Sequence, residues 1–265
     1  MENSTNLPVS SESASNGLDI PRLFKESWED LKVLWKSMLK VQLVMLGLIF
    51  AVLAIPVLFL MIFGGVTAVN GLISGSIWSG LSISETAAIT IITLFLVVFI
   101  ALIYVSLLSQ CSLFLIVKDR KTNLKVLDIF KEAKQYLSGY FYVSLLVGLR
   151  VLVGLILFII PGIIFAIRYS FSSWVYIDEG LKGGVALKRS KELVAGFGWQ
   201  VLGIMGIFLL INFVIEWVLK IFPKQISSIL SFPISLFFGI YAIIVFFNLY
   251  HKIKELKSVS FKAQE

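Results

Sequence analysis

The sequence predicts an all-α protein, a polytopic bundle of about six transmembrane helices with amphipathic helices at the cytoplasmic face. Of its 265 residues, 58% are hydrophobic and only 15% are charged, whereas soluble domains carry about 25% charged residues. The charged residues cluster between apolar runs that are long enough to cross a bilayer. A water-soluble core cannot absorb this much apolar surface, so we expect an integral membrane protein.

The first 38 residues divide into a polar stretch and an amphipathic segment. Residues 1–18 are rich in serine and lack an apolar run, so we expect a disordered N-terminus without a signal peptide. Residues 19–38 predict a helix at the lipid headgroups, because an apolar stripe lies on one face and lysines lie off it. An ordinary soluble helix is the alternative. The stripe contains Phe24, Trp28, Leu31, Trp35 and Met38, and its two tryptophans are the expected interfacial anchors.

Six apolar runs within residues 39–250 form the predicted membrane domain. The expected spans are residues 39–63, 88–117, 139–160, 163–177, 198–219 and 229–250. The fourth run is short and reaches only ~22 Å as a helix, so we expect it to end in the interface. Pro161-Gly162 predicts a tight turn between the third and fourth spans. Residues 251–265 form a basic tail.

The distribution of basic residues predicts that both termini lie in the cytoplasm. With six spans the termini share one side of the membrane, and that side collects nineteen of the 23 lysines and arginines. The opposite side has only Lys220 and Lys224 outside the spans. Cytoplasmic loops are enriched in basic residues, so this asymmetry indicates the orientation. The net charge of +7 points to anionic lipids as partners at the cytoplasmic face, rather than to nucleic acid.

A basic amphipathic segment precedes a pair of spans three times, in residues 19–38, 118–138 and 180–197. An aromatic residue follows Phe24, Phe130 and Leu187 of these segments by 11 or 12 positions each time, as Trp35, Phe141 and Trp199. The repeated unit would be an interfacial helix, an elbow anchored by the aromatic residue, and a hairpin. The alternative is that basic segments simply precede helices, as they do in many multi-span proteins.

Two arginines lie inside the apolar runs. Arg150 and Arg168 are ~16 Å and ~9 Å from the expected turn at Pro161. A mid-span arginine costs roughly 2.5–3.5 kcal/mol on insertion scales, so it usually faces a bundle interior, a partner acid or water. Glu216 is the only acid inside an expected span, and it can pair with Arg168 or with Lys220 one turn away. Structural pairing, contact with lipid phosphate and a transport pathway remain the three possible roles.

Small residues recur every four positions on the fourth span. Gly162, Ala166 and Ser170 would lie on one face of a helix and let a neighbouring backbone approach closely. With Pro161 at the expected turn, this pattern predicts a tight helix–helix interface. The pattern concerns packing and indicates no particular activity.

Enzyme motifs and ligand clusters are not found in the sequence. The chain lacks the metalloprotease, nucleophile-elbow and P-loop patterns. Its single histidine, His251, and single cysteine, Cys111, cannot build a metal site alone. We therefore expect a protein without catalytic residues, metal or cofactor.

One motif carries a family resemblance. Its first part is a Pro-Gly pair, an apolar stretch, and an arginine followed by an aromatic residue. Its second part is an A-L-x-x-S-x-x-L pattern, followed by an aromatic residue at the start of a span. The positions are Pro161, Gly162, Arg168, Tyr169, Phe171, Ala186, Leu187, Ser190, Leu193 and Trp199. This segment resembles a group of bacterial six-span proteins that includes the membrane domain of some glycerophosphoryl diester phosphodiesterases. The resemblance implies a multi-pass protein of the bacterial cytoplasmic membrane. It implies no phosphodiesterase activity, because this chain has no hydrolase domain.

These observations favour a non-enzymatic membrane protein that acts as a scaffold or interacts with lipids. A small transporter or permease subunit that uses Arg150, Arg168 and Glu216 is the alternative. A membrane-tethered regulator is a third possibility, and it would need a cytoplasmic partner for residues 1–38 or 118–137. The sequence does not identify a protein partner.

Overall fold

A computed structural model describes residues 18–73, 85–122 and 125–262. Over these ranges the chain is helical, with eight helices and no strand. Most of the stretch expected to be disordered, residues 1–17, lies outside the described residues, as do residues 263–265 of the tail. The helices are α1 (Ile20–Ile73), α2 (Glu85–Lys118), α3 (Val126–Leu157), α4 (Ile159–Tyr169), α5 (Ser172–Glu179), α6 (Gly183–Val194), α7 (Gly198–Leu219) and α8 (Lys224–Lys262).

Six helical segments are long and apolar enough to cross a membrane, and this confirms the predicted fold class. They are Ile20–Phe59, Ile89–Lys118, Val126–Leu157, Ile159–Glu179, Gly198–Leu219 and Lys224–Val259. The fourth segment combines α4 and α5 and has the lowest mean hydropathy, 1.2 against 2.1 to 3.0 for the others. The architecture is that of a multi-pass integral membrane protein.

The chain forms two compact units. One contains Met1–Lys32 and Ser190–Glu265, and the other contains Val33–Arg189. We call them the terminal unit and the central unit. The central unit holds Arg150, Arg168 and the Pro161-Gly162 pair.

Three expected boundaries between amphipathic segments and spans are not breaks in the helices. Helix α1 runs through residues 38 and 39, α3 through residues 138 and 139, and α8 through residues 250 and 251. In α1 the buried positions Leu31, Leu34, Met38, Val41 and Met45 continue at spacings of three and four across the expected boundary. The helix continues because its buried face stays in phase and no glycine or proline interrupts it there.

The expected turn at Pro161-Gly162 is wrong by a few residues. The reversal lies at Phe158, which has an extended backbone with φ −164° and ψ 153°, and both Pro161 and Gly162 lie inside the first turn of α4. Proline fits there because the first N–H groups of a helix have no intrahelical partner. The N–H of Phe158 donates to the Gly154 carbonyl, which closes the end of α3.

The helical chain is interrupted three more times between α4 and α7, at residues 170–171, 180–182 and 195–197. Ser170 and Phe171 separate α4 from α5, so the expected fourth span is a kinked pair of helices. Residues 195–197 separate α6 from α7, and Gly196 has a φ of 89°, a left-handed conformation that favours glycine. Only this third amphipathic segment has the elbow that the repeat predicted. The first two segments continue directly into their spans.

The terminal unit has an aromatic cluster where the start of α1 meets α7 and α8. The Phe24 ring stacks on Phe208 at 6.1 Å, and the Trp28 ring meets Phe237 and Tyr241 edge-on at 6.4 and 6.0 Å. The Tyr241 hydroxyl donates to the Phe24 carbonyl over 3.2 Å. Aromatic pairs of this geometry add stabilisation beyond that of buried area alone.

A polar contact also joins α1 to α8 in the terminal unit. The Asn248 amide donates to Asp30 Oδ2 over 2.9 Å and to Ser27 Oγ over 3.1 Å, and Ser27 donates to the Leu23 carbonyl. Ser27 is fully buried, so these bonds lie in a site from which water is largely excluded.

We expect Asn248→Ala to lower the free energy of unfolding by about 1–3 kcal/mol, because it removes two hydrogen bonds, one of them to a carboxylate. Thermal unfolding of the purified protein in detergent measures the change. Asn212→Ala is the matched control, because the Asn212 amide bonds the Phe208 carbonyl of its own helix. Equal losses in the two variants would show that the link between helices is not stabilising.

The central unit packs α2, α3 and α5 around aromatic contacts. The Phe114 and Trp174 rings stack with centroids 3.9 Å apart, and Tyr140 meets Phe114 edge-on at 5.8 Å. Lys118 donates to the Ile177 carbonyl over 2.8 Å, which ties the end of α2 to α5. Cys111 is fully buried in this region.

A half-buried lysine links the α2–α3 connection to α3. Lys121 Nζ lies 2.6 Å from Glu132 Oε2 and 2.9 Å from Asp119 Oδ2. Partial burial acts to lower the pKa of Lys121, but the hydrogen bonds and negative charges of Glu132 and Asp119 outweigh it and raise the pKa above its ordinary value of 10.5.

This raised pKa predicts how the lysine contributes to stability at alkaline pH. A lysine whose pKa is higher in the folded state stabilises the fold fully below pH 10.5, and its contribution is lost as the pH rises through the folded value. We therefore expect the free energy of unfolding of the wild type to exceed that of Lys121→Met by at most about 1 kcal/mol at pH 8. The difference should decrease as the pH rises above 10.5, as measured by thermal unfolding from pH 8 upwards. A difference that does not change with pH would contradict the ion cluster.

Candidate functional site

The reversal at Phe158 places the two intramembrane arginines at nearly the same depth. Arg150 lies eight residues before Phe158 on α3, and Arg168 lies ten residues after it on α4. At 1.5 Å per residue these separations are ~12 Å and ~15 Å. The two arginines are therefore more nearly level than a turn at Pro161 would make them, so the unequal depths of ~16 Å and ~9 Å expected from that turn are wrong.

The Arg150 guanidinium rests on an aromatic ring of the neighbouring helix. Its Cζ lies 5.3 Å from the centroid of the Tyr169 ring, which is a cation–π contact. The Tyr169 ring in turn lies 6.1 Å from the Phe165 ring, one turn earlier on α4. Arg150 and Arg168 are both exposed on the surface of the chain.

Close backbone contact holds the two helices of the hairpin together beside these arginines. A Cβ atom built on Gly154 would lie 2.9 Å from Gly162 Cα, and one built on Gly162 would lie 2.9 Å from Leu155 N. Only glycine at both positions permits this approach. Ala166 is half-buried further along α4, and Ser170 is half-buried just after the helix, where it donates to the Ile167 carbonyl.

The part of the hairpin around the two arginines is apolar in sequence. Residues 139–169 contain Arg150 and Arg168 but no aspartate or glutamate. The side chains around the arginines are exposed and apolar, and they include Leu149, Leu152, Val153, Ile163 and Ile164. The arrangement presents the guanidinium groups of Arg150 and Arg168 on an exposed, largely apolar surface.

Glu216 lies in the terminal unit, near the end of α7. It is exposed, and its carbonyl accepts the N–H of Lys220, which caps the helix. Within the part of the chain that the structure describes, the Glu216 and Lys220 side chains form no ion pair. The pairing of Glu216 with Arg168 concerns two separate units and stays a prediction.

The three tryptophans named as interfacial anchors occupy different settings. Trp28 is partly exposed and contributes to the aromatic cluster of the terminal unit. Trp35 is partly exposed on α1, with Lys36 Nζ 5.8 Å from its ring centroid. Trp199 is 84% exposed, immediately after the elbow at residues 195–197. The stripe that α1 buries is offset from the expected one and contains Leu23, Ser27, Leu31, Leu34 and Met38.

Two residues of the site were not recognised as such from the sequence. Tyr169 was noted as a motif position, but its contact with Arg150 depends on the register of α3 against α4. Gly154 precedes Gly162 by eight residues, and this spacing about a reversal is a signal that could have identified the close contact. No group of three or more His, Cys, Asp or Glu residues that could hold a metal ion occurs among the described residues.

Comparisons of the chain with protein-family models, with curated proteins and with solved structures give no match.

Proposed function

We propose that this integral membrane protein is a non-enzymatic, lipid-interacting scaffold of a bacterial cytoplasmic membrane, with both termini in the cytoplasm. One observation carries the proposal: the Arg150 and Arg168 side chains lie on the exposed surface of the α3–α4 hairpin. Arginines that serve a transport pathway face a bundle interior or a water-filled cavity. Arginines on an exposed apolar surface favour contact with lipid headgroups instead.

The cytoplasmic face supplies a second kind of lipid contact in this proposal. Lys25, Lys32 and Lys36 are exposed along the start of α1, and Lys131 and Lys134 are exposed at the start of α3. Basic residues at this level attract anionic headgroups by about 1 kcal/mol each. The resemblance around Pro161 supports a bacterial origin and relatedness to the membrane domain of glycerophosphoryl diester phosphodiesterases.

Native mass spectrometry of protein extracted gently from its own membrane tests the lipid interaction. We expect one or more phospholipids to stay bound after the detergent micelle has been removed. Reconstitution into liposomes provides the opposing test for the transporter alternative. A protein that retains no lipid but conducts a solute through the bilayer would contradict the proposal.

Labelling with a membrane-impermeant maleimide tests the orientation. Lys125→Cys and Lys224→Cys place reactive thiols on two exposed residues that the predicted topology puts on opposite sides of the membrane. The wild-type chain is the control, because its sole cysteine, Cys111, is fully buried. We expect intact spheroplasts to label only Lys224→Cys, and inverted vesicles to label only Lys125→Cys. The reverse pattern would place the termini outside.

A further inference from the structure

We propose that Arg150, Arg168 and Tyr169 form a binding site for the phosphate of an anionic phospholipid at the middle depth of the bilayer. This inference rests on the proposed lipid interaction and assigns it a ligand group and three residues. The basic cytoplasmic face attracts headgroups at the membrane surface, whereas this site would draw one phosphate inward along the hairpin. The bilayer can become thinner around arginines that lie within the membrane, and this thinning would let the phosphate reach them.

The geometry of the hairpin brings both guanidinium groups to one level. In an α-helix each Cα–Cβ bond tilts towards the helix N-terminus. Because α3 and α4 run in opposite directions, Arg150 leans away from the reversal at Phe158 and Arg168 leans towards it. Their Cα atoms start ~12 Å and ~15 Å from Phe158, so the tilts reduce the difference in depth.

The Tyr169 ring orients Arg150 without neutralising it. The ring centroid lies 5.3 Å from the guanidinium carbon. A guanidinium has five N–H donors, and a cation–π contact is not a hydrogen bond, so donors stay available to a second ligand. Phosphate accepts two parallel N–H bonds from this planar fork. With no acid in residues 139–169, the hairpin itself supplies no carboxylate to Arg150.

The surroundings of Arg150 favour a phospholipid over an acidic protein segment. The exposed neighbours Leu149, Leu152 and Val153 on α3 and Ile163 and Ile164 on α4 offer a surface for acyl chains on both helices. A phospholipid joins one phosphate to two acyl chains and therefore matches both parts of this surface. A carboxylate on a partner helix would match only the arginines and is an outcome of the test.

The experiment measures lipid binding in nanodiscs of defined composition. Wild type and variants are reconstituted with phosphatidylcholine containing a small fraction of phosphatidylglycerol, and retained lipids are counted by native mass spectrometry over a range of that fraction. We expect Arg150→Leu and Arg168→Leu each to weaken retention of phosphatidylglycerol at least about tenfold. Arg150→Lys should weaken retention of phosphatidylglycerol less than Arg150→Leu does, because lysine keeps the positive charge but lacks the planar set of N–H donors of a guanidinium. Tyr169→Leu should weaken retention about threefold.

Matched controls separate a local effect from a loss of charge or folding. Arg22→Leu removes an exposed arginine that pairs with Glu26 near the start of α1, and it should leave retention at the hairpin site unchanged. Thermal unfolding in lipid-free detergent identifies variants that do not fold. If Arg150→Leu does not fold, the comparison of Arg150→Lys with wild type decides the question.

The outcomes distinguish this site from the general function. Wild type that prefers phosphatidylglycerol, with the preference lost in the hairpin variants, supports the site. The same preference in wild type and all hairpin variants overturns the site but leaves the lipid interaction intact. No lipid retained by wild type overturns both. A second protein chain that is retained by wild type and lost with Arg150→Leu identifies an acidic partner and overturns the phosphate site.

Discussion

Replacing Gly162 by alanine should destabilise the protein by about 3 kcal/mol. The new Cβ atom would lie 2.5 Å from Leu155 Cγ and 2.9 Å from Leu155 N. A side chain could rotate away, but the backbone nitrogen can move only if α3 and α4 separate. Separation would also weaken the Arg150–Tyr169 contact, because its two residues lie on the two helices.

Gly148→Ala on the same helix is the control for this substitution. An added Cβ at Gly148 meets no atom within 4 Å, so we expect a neutral effect or a gain of up to about 1 kcal/mol from helix propensity. Gly154→Ala should resemble Gly162→Ala, because its Cβ would lie 2.9 Å from Gly162 Cα. Thermal unfolding in detergent measures all three variants. A Gly162→Ala protein as stable as Gly148→Ala would refute the close contact.

Gly139→Ala should destabilise the central unit by about 2–3 kcal/mol through a different neighbour. The added Cβ would overlap the Tyr176 ring, with Cε2 at 2.6 Å. The ring cannot swing aside without loss, because the Tyr176 hydroxyl donates to the Tyr136 carbonyl over 3.2 Å and the two rings meet edge-on at 6.2 Å.

A double-mutant cycle identifies this overlap as the cause. Tyr176→Ala alone should cost about 3–5 kcal/mol, because it empties a buried aromatic position. Once the ring has been removed, adding Gly139→Ala should cost little more. A coupling of about 2 kcal/mol between the two positions is expected, whereas residues that do not touch add independently. Independent additivity here would show that the ring is not what excludes a side chain at Gly139.

Composition and hydropathy were sufficient to predict the helical class and the six candidate spans. They were not sufficient to predict where each helix begins and ends. A Pro-Gly pair marks turns in many chains, yet Pro161 and Gly162 lie inside α4 because the first helical turn tolerates both residues. Similarly, the amphipathic segment before residue 39 continues into its span, since its buried face stays in phase with that of the span. Sequence periodicity does not distinguish one long helix from two that happen to align.

The direction of burial was harder to predict, because a bilayer reverses the usual rule. In water an apolar stripe faces inward, but in lipid the large apolar side chains can remain outside. Ile156 is accordingly 75% exposed, while Ser112 and Ser190 are fully buried. The stripe with Trp28 and Trp35 therefore indicated a helix correctly but did not identify its buried face.

The candidate site was predicted only in part. The cost of an arginine in lipid identified Arg150 and Arg168 from the sequence alone. Their similar depth depends on a reversal at Phe158 that no residue type signals. The contact with Tyr169 depends in turn on the register that Gly154 and Gly162 set between the two helices.

The single-residue connection at Phe158 has a consequence for how the chain enters the membrane during synthesis. Helix α4 has eleven residues and covers only ~16 Å, so it cannot cross the bilayer before α5 has been made. Its segment also has the lowest hydropathy of the six and carries Arg168. A segment of this kind inserts poorly when it emerges alone from the translocon. Only one residue separates α3 from α4, so the two helices emerge from the ribosome almost together. They would then insert as a hairpin, in which the more apolar α3 favours the insertion of α4.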